Sequence, residues 1–353
     1  MEKITVLIKP VSFVCNMQCD YCFYKDVIKY RTNPVKKMNK NVYLSIIKKT
    51  LNHCETPIEI EYCFQGGEPL LAGIEFYKDF IDEVNLRNTV HMIKYSIQTN
   101  GTLIDNQWID LFKQYHFLVG ISLDGIQITH DFHRRIKGEE SFHKVIVAIN
   151  LLKHNNIDFN ILSVITSHMS MYAKDIYRFY KDMNFKYTQF IPCLPPLGGG
   201  VGLKPKEFFR FYRELYDEYR KDQQVHISLF DQIHYLLNGQ IDCSCGMLGY
   251  CSIQIVIETD GSIYPCDFYA LRKYCLGNIL HHSLKECITN KIAYIFLREE
   301  KEYSYVCDDC EFYSICQGNC KRQNVCMFDE YYCGYKELLK YIKNKEDKHN
   351  ENI

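Results

Sequence analysis

"TVLIKPVSFVCNMQCDYCFY", residues 5–24, runs a short β-rich segment into a loop that holds Cys15, Cys19 and Cys22 within eight residues. Residues 5–9 read as a strand, and the thiols follow at its carboxyl end. Soft thiolates select zinc or iron–sulfur. A structural zinc site wants four closed ligands. Three thiolates in one loop instead hold three corners of a four-iron cluster and leave the fourth iron open to a substrate or cofactor. The count favours the cluster, and the alternative is a zinc loop completed by a distant residue such as His53.

Outward from this loop, candidate strands at 58–64, 93–98, 117–122, 159–165 and 186–191 alternate with helical patterns near 38–53, 74–86, 105–115, 141–154 and 170–182. Strand then helix, repeated, implies a parallel sheet. Six such units are too few to close an eight-stranded barrel, so the expected fold is α/β, a partial (βα)6 barrel with its site at the carboxyl ends of the strands. "PCLPPLGGGVGLKP" (192–205) ends the pattern, because its prolines and glycines continue neither strand nor helix. Helical patterns near 205–222 and 229–237 follow. From Cys243 to Cys333 the chain carries twelve of its 18 cysteines, a composition shift that marks a second domain held by metal. The expected division is 1–230 for the barrel, 231–335 for the cysteine-rich domain, and 336–353 for a Lys-rich tail, read as a solvated helix that frays.

With 353 residues, 47% of them hydrophobic, the chain can bury a large core. Lys plus Arg number 42 against 43 for Asp plus Glu, so no excess charge holds the protein to nucleic acid or to an anionic membrane. The apolar start is broken by Lys9 and Pro10, and no run approaches the ~20 residues of a membrane span. A cytoplasmic location follows as the expectation, and in that reducing pool metal-bound thiolates are a better reading than a disulfide framework.

Three further segments close candidate strands. "FQGGEP" (64–69) offers Gly66 and Gly67, where the backbone could approach a ligand as no residue with a Cβ would allow. "QTNGT" (98–102) and "SLDG" (122–125) offer Thr99, Asn100, Ser122 and Asp124, and "HRR" offers Arg134. Each alone reads as a turn, and it is their joint placement at successive strand ends that raises them. Farther on, Cys307-x2-Cys310-x5-Cys316-x3-Cys320 and Cys333 exceed one tetrahedral site. With Cys245, Cys251 and Cys266 they make eight thiols, divisible into two sets of four. Two clusters or two zinc ribbons satisfy that count, and Cys243 and Cys326 stay open as substitute ligands. Cys54, Cys63, Cys193, Cys275 and Cys287 read as small buried hydrophobes. Asp267, beside Cys266, reads either as a general base next to a one-electron acceptor or as an Asp that closes a turn.

The three-cysteine loop resembles that of the radical S-adenosylmethionine (SAM) enzymes, in which the open iron chelates SAM and the reduced cluster cleaves it to a 5'-deoxyadenosyl radical. The resemblance implies that Tyr21 packs near the adenine and that the segment with Gly66, Gly67 and Glu68 hydrogen-bonds the SAM amino group. It further gives Thr99, Asn100, Ser122 and Asp124 to the ribose and methionine ends, and Arg134 to the carboxylate. The later cysteines are similar to the SPASM extension of peptide-modifying members. That likeness implies one auxiliary four-iron cluster on Cys245, Cys251, Cys266 and Cys320, and another on Cys307, Cys310, Cys316 and Cys333.

Nearly the whole chain resembles the anaerobic sulfatase-maturating enzymes, through "LIKPVS", "CNMQCDYCFY", "FQGGEP", "QTNGTLID", "VGISLDG", "FNILSVITS", "QFIPCLPP", "SCGMLGYC", "DGSIYPCDFY" and "LGNI" in that order. The resemblance implies oxidation of a Cys or Ser of a sulfatase to Cα-formylglycine, with SAM and three 4Fe-4S clusters as cofactors. By the same likeness Asp267 is the catalytic base, Tyr24 and Gln65 lie near the substrate, and a flavodoxin or ferredoxin donates electrons. One departure is the loop after "CLPP", short and glycine-rich here. Two other expectations stand beside this one: a SPASM-type maturase that crosslinks or otherwise modifies a ribosomal peptide, and a zinc-stapled binding protein without catalysis.

Overall fold

Period-two alternation becomes strand and 3.6-residue patterning becomes helix along most of the computed structural model, which describes residues 2–30, 36–240 and 245–350. In chain order the strands are β1 (Lys3–Ile8), β2 (Glu59–Phe64), β3 (Met92–Thr99), β4 (Leu118–Ser122), β5 (Phe159–Ile165), β6 (Tyr187–Pro192), β7 (His226–Ile227), β8 (Ile255–Ile257), β9 (Ser262–Tyr264) and β10 (Gly277–Asn278). A separate two-residue hairpin pairs Arg135–Ile136 with Glu139–Glu140. The helices of nine or more residues are α1 (Lys40–Leu51), α2 (Ile74–Arg87), α3 (Asn106–Gln114), α4 (Phe142–His154), α5 (Ala173–Asp182), α6 (Pro205–Tyr219), α7 (Ser228–Leu237) and α8 (Gly334–Asn350). The six expected strands and the helix expected after each are therefore present, with ends shifted by at most three residues.

The chain divides into two compact units, each assembled from separate segments. The first comprises Met1–Ser122, His133–Phe159 and Ile253–Glu299. Its strands lie in the order β10-β9-β8-β1-β2-β3-β4; β8, β1, β2, β3 and β4 run parallel, and β9 and β10 add antiparallel neighbours. Val6, Ile8, Ile60, Tyr62, Phe64, Val119 and Ile121 are fully buried, and each such side chain contributes about 1.5–3 kcal/mol by leaving water. Phe80 of α2 packs edge-on to Tyr62 at 5.1 Å, and Tyr77 to Phe64 at 4.9 Å. Parallel pairing has one consequence for function: the residues that follow β8, β1, β2 and β3 emerge side by side at one edge.

The second unit comprises Leu123–Phe132, Asn160–Ser252 and Glu300–Ile353. In it β5, β6 and β7 run parallel beside α5, α6, α7 and α8. The tail differs from its expectation. Tyr335, Leu338, Leu339 and Ile342 recur at helical spacing and are fully buried, so α8 is a packed element of this unit. Tyr341 donates to Asp217 Oδ1 at 2.7 Å, and Glu346 pairs with His234 at 2.6 Å. The lysines that made the tail look solvated lie on its other faces. Among the described residues no helix is long and apolar enough to cross a membrane.

Strands β8 to β10 had no counterpart in the sequence reading. Each is two or three residues long, too short to show a period. Their pairing still matters most for the site, because β8 beside β1 brings the segment with Asp267 into the first unit.

Candidate active site

The register of β1 decides the geometry. Ile8 pairs with Ile257 of β8 and with Phe64 of β2, so the next residue on each strand, Lys9, Glu258 and Gln65, leaves the sheet at the same level. Lys9 is fully buried. Its ammonium lies 2.5 Å from Asp267 Oδ1 and 3.5 Å from Glu258 Oε1, and stands 4.4 Å from the centre of the Tyr24 ring. Asp267 Oδ2 accepts from Tyr24 OH at 2.8 Å and from Gln65 Nε2 at 3.1 Å. Burial first, then the Asp267 carboxylate, holds the Tyr24 hydroxyl well above its ordinary pKa, so it is a donor at any working pH. Asp267 thus reaches across to β1, β2 and Tyr24 from the first position of its own short turn, Asp267–Tyr269.

The three-thiol loop lies over the ends of β1 and β3. Met17 N–H donates to Cys15 Sγ at 3.3 Å, Asn100 Nδ2 reaches the same sulfur at 3.8 Å, and Arg134 Nη1 reaches Cys19 Sγ at 3.9 Å. Asn100 also donates to Asn16 Oδ1 at 2.9 Å. Behind it, Glu68 is fully buried and accepts from Leu70 N–H at 3.0 Å, Thr99 OH at 2.7 Å and Asn100 N–H at 2.8 Å. Burial pushes the Glu68 carboxyl up to about 7, against the pull of those donors. Both of its oxygens are thus engaged by the chain itself, tying the end of β2 to the end of β3. Gly66 and Gly67 have a related role: a Cβ on Gly66 would fall 2.6 Å from Ser12 O, and one on Gly67 on the carbonyl oxygens of Val14 and Phe13. One close approach these glycines permit is to the cysteine loop's own backbone at Ser12, Phe13 and Val14.

Around this centre Arg134 stacks 5.5 Å from the Tyr21 ring, which meets His133 edge-on at 5.5 Å. Ser122 Oγ accepts from Gln98 Nε2 at 3.2 Å. Asp124 belongs to the second unit, where its Oδ1 accepts from Val164 N–H at 2.9 Å. Also in that unit, Cys307, Cys310, Cys316 and Cys333 line one cavity with Phe312 and Phe328. Cys326 is fully buried but does not line it, and its thiol donates to Cys193 O at 3.4 Å. Cys243 lies outside the described residues.

Residues 10–180 match the family model of the radical SAM superfamily, and residues 245–311 that of the SPASM iron–sulfur cluster-binding domain. The cysteine-type anaerobic sulfatase-maturating enzyme of Clostridium novyi (strain NT) is 38% identical over 334 residues, 91% of this chain and 89% of that protein. The chain belongs to the anaerobic sulfatase-maturating enzymes. A serine-type member from Bacteroides thetaiotaomicron is 30% identical, over 91% of this chain and 83% of its own. The solved structure of native anSMEcpe with bound AdoMet and Kp18Cys peptide is 34% identical, with a TM-score of 0.88 over 99% of this chain and 100% of that one. This family member has the expected fold, a radical SAM partial barrel with a cysteine-rich SPASM domain.

As a radical SAM enzyme of the sulfatase-maturating family it uses SAM and 4Fe-4S clusters, and the four cysteines that line the cavity in the second unit fit a cluster. The donors are all sulfur, and burial raises the Cys307 and Cys316 thiols above their ordinary pKa, a preference for the neutral form that bound iron reverses. The four thiols stand around a space, as suits a group several ångströms across. The sequence reading missed Lys9 and Glu258. The signal for Lys9 was available: a charge at the apolar strand's end, just before Pro10, is unusual enough to ask what pairs with it.

Proposed function

We propose that this enzyme oxidises a cysteine of a sulfatase peptide to Cα-formylglycine, with Asp267 as the base that takes the thiol proton. The observation that carries this reading is the Asp267 carboxylate, held by Lys9, Tyr24 and Gln65 beside Cys266. Cysteine is favoured over serine by the higher identity to the cysteine-type relative, 38% against 30%.

When bound, SAM and the clusters supply hydrogen-atom abstraction and one-electron acceptance. The first cluster is assigned to Cys15, Cys19 and Cys22, one auxiliary cluster to Cys245, Cys251, Cys266 and Cys320, and the other to Cys307, Cys310, Cys316 and Cys333. Tyr21, Gly66, Gly67, Thr99, Asn100, Ser122, Asp124 and Arg134 are assigned to SAM, with Glu68 holding Thr99 and Asn100 in place. The substrate cysteine loses a Cβ hydrogen, its thiol proton and one further electron, and water then replaces sulfur to leave the aldehyde and hydrogen sulfide. A thiol with an ordinary pKa of about 8.5 is mostly protonated near neutrality, so the proton needs an acceptor. Asp267 accepts it at a carboxylate oxygen whose orientation Tyr24 and Gln65 hold.

The proposed functional division is 1–230 for the SAM domain, 231–335 for the auxiliary-cluster domain and 336–353 for the C-terminal segment. A cytoplasmic flavodoxin or ferredoxin is the proposed electron donor. An anaerobic mixture of the enzyme, SAM, a strong reductant and a peptide bearing Cys-x-Pro-x-Arg should yield an aldehyde at the cysteine, read by mass and by hydrazide capture. A crosslinked peptide, or SAM turnover with the cysteine left intact, would reject this reading.

A further inference from the structure

Lys301 belongs to none of the motifs above, yet it joins two of them. Its ammonium donates to the carbonyl of Gly249 at 2.5 Å, to that of Gln317, and to that of Asn319 at 3.3 Å. Gly249 lies in the loop between Cys245 and Cys251, while Gln317 and Asn319 lie in the turn between Cys316 and Cys320. The two loops abut: Gly249 has φ +74°, and a Cβ there would sit 2.5 Å from Gln317 Cβ and 2.7 Å from Cys316 O. Gln317 and Asn319 are themselves left-handed, at φ 41° and 55°, a conformation that side chains other than glycine adopt at a cost. The turn therefore holds an unfavourable shape that aims its carbonyls at the ammonium.

An ammonium has three N–H donors and no acceptor. Three carbonyl oxygens match that valence, whereas a neutral amine would turn its lone pair on one of them. Burial pulls the pKa of Lys301 below its ordinary value, opposed by Cys316, Cys251, Cys320 and Cys307, sulfur from both auxiliary sets.

We propose that Lys301 is a positioning residue for the electron-accepting half of the reaction: it pins the two auxiliary-cluster loops together and fixes a positive charge where they meet, favouring one-electron reduction of the clusters. The inference rests on the ligand assignment proposed above. An electron that leaves the oxidised substrate makes its acceptor one unit more negative, and a fixed cation at the loops stabilises that state by Coulomb attraction.

The test is an EPR-monitored redox titration of the anaerobically prepared full chain in which Cys15, Cys19 and Cys22 are replaced by Ala, so that auxiliary signals stand alone. Iron and sulfide in that parent protein test the ligand assignment separately: iron for fewer than two clusters removes the premise, whatever Lys301 does. Lys301→Gln keeps amide donors but loses the charge, and Lys301→Arg keeps the charge. At a fixed potential, the reduced-to-oxidised ratio should fall about tenfold in Lys301→Gln, a shift of about 59 mV for a one-electron couple. Lys301→Arg should stay within about twofold of the parent. Loss of cluster iron from the Gln variant alone also supports the cation. Unchanged potentials in Lys301→Gln, an equal shift in both variants, or loss of iron from both would overturn the proposal.

Discussion

Asp267 and Lys9 form an ion pair whose members lie 258 positions apart in the sequence (267 minus 9). Asp267→Asn keeps the shape and the neighbouring Cys266 but cannot take a proton. General-base help is typically worth about 100-fold to 10,000-fold, so formylglycine should fall by something in that range while 5'-deoxyadenosine still forms, increasingly uncoupled from product. Full product from the Asn variant would remove Asp267 from the mechanism. Lys9→Met tests the pair itself. Removal of one partner from a buried ion pair costs about 3–5 kcal/mol because the other charge is left stranded, so the single variant should melt well below the parent. Lys9→Met with both Asp267→Asn and Glu258→Gln, which leaves no carboxylate stranded, should recover much of that loss. A triple variant no more stable than Lys9→Met would show that the lysine matters for packing and not for charge.

At the scale of elements, the parallel strand ends are locked by Glu68, which ties β2 to β3 through Thr99 and Asn100. Its folded-state pKa, about 7, stands above the ordinary 4.5. The folded protein therefore holds this proton longer than the unfolded chain does. The resulting stability is fully present below about pH 4.5 and is lost as pH rises through about 7. Glu68→Gln cannot titrate, so its melting temperature should decline less than the parent's between pH 5 and 8, and parallel profiles would rule this out. The strands and helices themselves were legible because long periodic segments carry their own signal. The interior-facing residues of α8 were legible too, at 335, 338, 339 and 342, but the lysines between them masked the stripe.

For the whole molecule, three thiols near the N-terminus and eight toward the C-terminus make separable demands. Replacement of Cys15, Cys19 and Cys22 together by Ala should abolish 5'-deoxyadenosine formation and remove the iron of one cluster, leaving the other two. The measurement is SAM cleavage together with iron and sulfide per chain. SAM cleavage by the triple variant under reducing conditions would refute the assignment, and loss of all iron would show that the sites are not independent.

What the sequence determined by itself was local. Thiol spacing selects soft metal chemistry within a few residues, glycines and prolines end elements where they stand, and apolar period names strand and helix. Hence the cysteine loop, the six strand–helix units and the cysteine-rich region were readable in order. Only the tertiary structure decided which distant groups meet. The strand pairing that sets Lys9 and Glu258 against Asp267 runs through β8, three residues long with no period of its own. Its partner is chosen by the burial of Ile255, Val256 and Ile257 against β1. In the same way, Lys301 acquires its role from three backbone carbonyls, which carry no residue identity for a sequence to show. Buried charge must be paired, but the pairing partner is a property of the fold.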